Sequence, residues 1–196
     1  MLLWIDKKII NMLADIGLGI IIAVWTSWHF AVEPSFALII FGIFFSLLPD
    51  FDFLLAVFLQ NANKHNEIGR HRELSHFPIL YGVLGFFVFL FWGKTFGTLF
   101  AFCILLHFLH DSVGIGWGVK WLWPFSDRAY KFFSTQTGER AFQVASWNKV
   151  ELDEVERKYG DPNWIRNFYF RPTLISVSEF FVFLLGLVFV AIFWYK

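Results

Sequence analysis

At 196 residues, with 57% hydrophobic, 22% aromatic and only 16% charged residues and a net charge of zero, the chain is displaced from typical soluble domains, about a quarter of whose residues are charged. Zero net charge supplies no long-range field, so no nucleic-acid partner is expected. The single cysteine, Cys103, excludes a disulfide framework and a thiolate metal cage, and its apolar surroundings predict a small buried residue.

Five apolar runs follow in chain order: 12–32, 35–60, 77–92, 95–110 and 174–195. A spanning helix needs about 20 residues, with about 17 as the lower limit. The first, second and fifth runs meet that length. The third and fourth are short, and Gly93-Lys94 between them predicts a tight helical hairpin that thins the membrane locally or does not cross fully. The first run is too long for a signal-peptide core and no small-residue cleavage pattern follows it, so it is expected to stay in the mature chain. Inside the second run, Pro49 removes a helical hydrogen bond and predicts a kink or an end.

Beyond the fourth run, Gly114, Gly116 and Gly118 allow a tight turn or a close backbone approach. As a phosphate cradle they are a weak signal, since no strand precedes them and no Lys-Ser/Thr follows. After Trp123-Pro124 the composition turns mixed and charged, and VELDEVERKY (150–159) predicts a short solvated helix ended by Gly160 and Asp161-Pro162. Tryptophans near run ends, among them Trp117, Trp121, Trp123 and Trp164, read as interfacial anchors. The expected fold class is all-α: a polytopic membrane bundle of five hydrophobic helices. Its expected parts are a metal-site bundle over 1–125, a cytoplasmic segment over 126–172 and a C-terminal membrane helix over 173–196.

Orientation follows from the basic residues. With the N-terminus in the cytoplasm and five crossings, every Lys and Arg except Lys94 and Lys196 is cytoplasmic. The expected topology is therefore multi-pass with the N-terminus inside.

An ionisable residue within a membrane run costs about 2.5–3.5 kcal/mol on insertion scales and needs a partner or a purpose. In this topology Asp15, Asp50, Asp52, His107, Asp111 and Glu179 fall at one depth near the cytoplasmic face, and the loop 61–76 adds His71 and His76. His29, at the outer end of the first run, does not join them. Acids alone would repel one another; acids mixed with imidazoles bind a divalent cation, which offsets their desolvation. His107 and Asp111 are spaced i,i+4 and share a helical face, although that spacing is common by chance. Asp50 and Asp52 can both point inward from a non-helical turn at Pro49, or one of them can cap a following helix. His71 and His76 taken singly are ordinary loop histidines, and Arg72 is either an anion fork or a positive-inside anchor. His65 and His110 are expected to be non-ligands.

The ordered set LLPDFD, HRELSH, HFLHD and GWGVKWLWPFS resembles the bacterial membrane-bound metal-dependent hydrolase family, also described as LexA-binding, inner-membrane-associated hydrolases. That family carries PD-x-D, HRG-(S/T)-H, H-x3-D and G…WP elements in this order. The resemblance covers about residues 10 to 126 and maps onto Asp50, Asp52, His71, Arg72, His76, His107, Asp111 and Trp123-Pro124. Two positions depart from it. Asp15 stands where the family has a histidine, and Glu73 replaces the glycine of HRG. The family is similar to zinc-dependent phospholipase C and P1-type nuclease, which implies phosphoester hydrolysis.

The leading expectation is a membrane-embedded hydrolase of a phosphoester, a lipid headgroup or lipid-linked phosphate, holding one or more divalent ions, zinc or alternatively manganese or magnesium. Its ligands would come from Asp50, Asp52, His71, His76, His107 and Asp111, with Asp15 and Glu179 in the first or second shell. Asp52, Arg72 and His76 would be the catalytic residues. The rivals are a non-catalytic protein with a structural metal and a cytoplasmic regulatory partner, and an ion or solute transporter. A transporter needs polar residues at several depths, and the outer halves of the runs are nearly free of them.

Overall fold

A computed structural model describes residues 12–33, 35–51, 75–114, 116–133, 144–161 and 163–194. Helix α1 is Leu13–Phe30 and α2 is Phe36–Leu47, which passes into a 3-10 turn, Leu48–Asp50. A long helical stretch, α3, covers Pro78–Val113. Strands β1 (Ala129–Phe132) and β2 (Val144–Trp147) precede α4 (Lys149–Tyr159) and a π-turn, Ile165–Tyr169. The chain closes with α5, Leu174–Trp194. Helices α1, α3 and α5 contain stretches long and apolar enough to cross a membrane, whereas the apolar helix Phe36–Asp50 is shorter. Within the second expected run the regular helix gives way to the 3-10 turn at Leu48–Asp50, where Pro49 is expected to kink or end it.

The residue contacts divide the chain into two compact units. The first comprises Met1–Leu48, Leu84–His107 and Asn163–Lys196. In a bilayer, lipid is as apolar as Leu, so helices associate by close packing. Glycines supply the closeness here. A Cβ on Gly17 of α1 would lie 2.6 Å from Val182 O of α5, and one on Gly19 would lie 2.5 Å from Gly42 O of α2. Gly186 returns the contact onto Gly17.

The expected hairpin is present. Gly93 has φ 76° and ψ −178°, outside helical values. A Cβ on Gly97 would lie 2.7 Å from Phe89, and one on Gly85 3.1 Å from Phe100. In a straight helix residues 85 and 100 would be about 22 Å apart, so the legs 78–92 and 94–113 fold back on each other. Positive φ at the fold suits a residue without Cβ. The second leg packs through Phe100 on Phe45 of α2 and through Phe102 on Trp25 of α1, with ring centroids 5.0 Å apart in both pairs. Cys103 is buried, as its sequence context suggests, with Sγ 3.5 Å from Gly42 O.

The second unit comprises Pro49–Val83 and Phe108–Pro162. Here β1 and β2 pair antiparallel, with Ala129 opposite Trp147, and Val119 bridges to Tyr130. That bridge explains one of the glycines: Gly118 has φ +90°, and a Cβ would collide with the Tyr130 carbonyl. Helix α4 is the expected solvated helix. It has no buried residue, it starts with a reciprocal Asn148–Glu151 capping box, and it stops at Gly160. Arg128 ties strand to helix by donating to Ser146 O at 2.8 Å and to Glu151 Oε2 at 3.1 Å.

Replacing Gly19 by valine should weaken the α1–α2 contact, since overpacking costs typically about 1–3 kcal/mol. Gly82 has nothing within 4 Å of its would-be Cβ, so Gly82→Ala should be neutral or slightly stabilising. Thermal unfolding of both variants in detergent is the check: a lowered midpoint is expected for Gly19→Val alone.

Candidate metal centre

The three acid and imidazole groups that meet in the second unit come from three different local structures. Pro49 ends the regular helix, and Asp50 leaves the chain at the close of the 3-10 turn. His76 lies immediately upstream of α3, whose first residue is Pro78, with the φ that a helix start requires. Asp111 sits in the last turn of α3.

His76 Nε2 is 3.0 Å from Asp111 Oδ2 and 3.3 Å from Asp50 Oδ1. Its other ring nitrogen, Nδ1, is 2.9 Å from Ser75 Oγ. The imidazole is fully buried, and both carboxylates are mostly so. Burial disfavours the His76 imidazolium, but the hydrogen bonds and charges of Asp111 and Asp50 outweigh it and raise its pKa above the ordinary histidine value.

The wall around His76 is aromatic. Phe108 meets it edge-on at 5.9 Å and also contacts Tyr81 and Trp121. Trp121 Nε1 donates to Ser112 Oγ at 2.9 Å, and Ser112 Oγ donates to Phe108 O at 2.7 Å. A buried lysine, Lys131 of β1, donates from Nζ to Gly114 O just beyond the end of α3, where a cation complements the helix dipole. The helix end that carries Asp111 is therefore fixed from the β-hairpin side.

The donor set fits a divalent ion. Asp50, His76 and Asp111 each offer a ligand atom within 4.8 Å of the others. Zinc bonds to nitrogen and oxygen of about 2.0–2.2 Å put neighbouring tetrahedral donors about 3.3–3.6 Å apart, close to the 3.0 and 3.3 Å found here. Two carboxylate oxygens and one imidazole nitrogen are borderline-hard donors suited to zinc or manganese.

Of the remaining expected site residues, three belong to the first unit. In the first unit, His107 Nδ1 is 3.2 Å from Asp15 Oδ1, with both groups buried. Also in that unit, buried Glu179 accepts a 3.0 Å hydrogen bond from Tyr169 OH. His107 lies one helical turn before Asp111 on α3, as the spacing indicated. Asp52, His71 and Arg72 lie outside the described residues. Sequence reasoning missed Ser75, Lys131 and Tyr169. Serine beside a histidine was in plain view within HRELSH, but the other two are tied to their partners only through tertiary folding.

The profile of a family described as the YdjM inner membrane protein matches residues 13–196. The chain belongs to that family. No curated protein matches the chain, and neither does any solved structure.

Removing a coordinating group should empty the centre, and removing a group that orients one should weaken it. Zinc titration followed by calorimetry should show His76→Ala and Asp111→Asn abolishing tight uptake, with Ser75→Ala weakening it about 10- to 100-fold. Arg128→Ala should leave it unchanged. Because protons compete with the ion for His76 and the two carboxylates, affinity should fall as pH is lowered.

Proposed function

We propose that this inner-membrane protein is a metal-dependent hydrolase of a phosphoester carried by a lipid headgroup or a lipid-linked phosphate. The observation that carries the reading is the convergence of Asp50, His76 and Asp111, buried and at ligand-to-ligand distances. Buried acids are retained in a membrane protein chiefly where they hold a cation or move charge.

Asp50, His76 and Asp111 would hold the ion, with His107 as the further ligand that its i,i+4 spacing from Asp111 suggests. Asp52 and His71 complete the set from the PDFD and HRELSH motifs, with Asp15 and Glu179 as supporting carboxylates. Arg72 receives the anionic group of the substrate through its planar fork. Ser75 orients the His76 ring, as a hydrogen-bonded group beyond a ligand does in metal sites. When bound, a divalent ion supplies Lewis-acid polarisation and ionises water near neutral pH. Asp52 accepts and returns protons around the reacting phosphorus.

The positive-inside distribution favours a cytoplasmic N-terminus, and with it a centre on the cytoplasmic side. A second reading has one observation in its favour. His76 is completely enclosed between two acids and Ser75, as in a structural site whose coordination is closed. In that case the metal supports the fold, and residues 126–172 serve a cytoplasmic regulatory protein.

Purified protein should retain divalent metal and cleave phosphoesters presented in mixed micelles. Chelation should abolish turnover and zinc or manganese should restore it. Asp111→Asn should lower the rate by about 100-fold or more, in the range of lost acid–base or electrostatic assistance. Metal retention without turnover on phospholipid or lipid-phosphate substrates would favour the structural reading.

A further inference from the structure

The short turn over residues 121–125 in the second unit divides its apolar side chains between two directions. Trp121 and Trp123 go inward: Trp123 packs on Phe77 at 4.5 Å, and Trp121 lies against Phe108 and Phe132 with its Nε1 on Ser112. Leu122 and Phe125 go outward, 50% and 88% exposed, with Pro124 exposed between them. Trp121 and Trp123 are half-buried, and Leu122 and Phe125 are the exposed pair.

A lone exposed Leu or Phe is ordinary; the backbone sets this pair apart. Trp123 N donates to Lys120 O, and Phe125 N and Ser126 N both donate to Leu122 O, at 2.8–3.3 Å. Pro124 has no amide hydrogen to satisfy. Three of the turn's four amide donors, those of Trp121, Trp123 and Phe125, are thus paired, which lowers the cost of approaching an apolar medium, the cost that excludes ordinary loops from lipid.

Position supplies the second argument. Phe77, on which Trp123 packs, directly precedes Pro78 at the start of the apolar hairpin, and Ser112 lies in the hairpin's last turn before Val113. The turn is therefore fastened to both ends of the hairpin. Within the same unit those ends expose Leu80, Val83 and Val113. Charge brackets the tip: Lys120 and Asp127 pair at 3.8 Å on either side of it, and the Asp127 carboxylate is largely exposed. An apolar tip on a polar base matches the gradient from acyl chain to headgroup.

We propose that residues 121–125 form an interfacial wedge, with Leu122 and Phe125 inserted among the headgroups and upper acyl carbons of the bilayer that the apolar helices occupy. This holds whether or not the metal centre is catalytic. It also brings the rigid aromatic wall of that centre to headgroup depth.

The test uses the full chain with Cys103→Ala and either Phe125→Cys or Asp153→Cys, an exposed position on α4. Each is labelled with an environment-sensitive fluorophore and reconstituted into phosphatidylcholine–phosphatidylglycerol vesicles. At position 125, phospholipid bearing a shallow nitroxide should quench at least about twofold more than at 153, while aqueous iodide should quench less. Adding Leu122→Asp to the Phe125→Cys chain should reverse both effects, which separates wedge insertion from partitioning of the dye alone. Iodide quenching at 125 equal to that at 153 would overturn the proposal. So would protection from both quenchers, which would mean that protein covers the tip.

Discussion

Two carboxylates buried within a few ångströms of each other repel, and in an apolar chain neither can be left without a counter-charge. His76 resolves the conflict between Asp50 and Asp111 by standing within 3.3 Å of both. The same positions suit a shared proton and a divalent ion. The ion contacts all three donors at once, whereas a proton on Nε2 lies between two. That difference is why a centre built from these groups is better matched to a cation than to a static ion pair.

Much of the remaining fold can be understood as holding those three groups in place. Pro49 terminates a helix so that Asp50 faces inward, and Pro78 restarts one directly after His76. The Trp121–Ser112–Phe108 chain of hydrogen bonds and Lys131 at Gly114 fix the end of α3. In the first unit, glycine contacts at Gly17, Gly19 and Gly42 let helix backbones touch, and the Asp15–His107 and Tyr169–Glu179 pairs satisfy polar groups that would otherwise be stranded. Placing Asp15 beside His107 gives a physical role to an acid buried near the start of the first helix.

The features legible in the sequence were those with a local cause. Pro49 marks a helix end by chemistry alone, Gly93-Lys94 marks a fold-back, and VELDEVERKY followed by Gly160 carries its own start and stop. The i,i+4 spacing of His107 and Asp111 is a property of any helix. What the sequence could not show were pairings across long separations: Tyr169 with Glu179 depends on the π-turn before α5, and Lys131 with Gly114 depends on strand register. Two apolar runs of marginal length likewise say nothing about which glycines meet, because helix–helix contact in lipid is set by shape rather than by hydrophobicity.

The most direct test of a cation at Asp50, His76 and Asp111 is X-ray absorption fine structure on zinc-loaded protein in lipid. Expected is a first shell of nitrogen and oxygen at about 2.0–2.1 Å, with the outer-shell scattering of imidazole and no sulfur near 2.3 Å, and with the imidazole signal reduced in His76→Ala. A shell of oxygen alone, unchanged by that substitution, would show that the metal rests on surface carboxylates and would contradict the central claim.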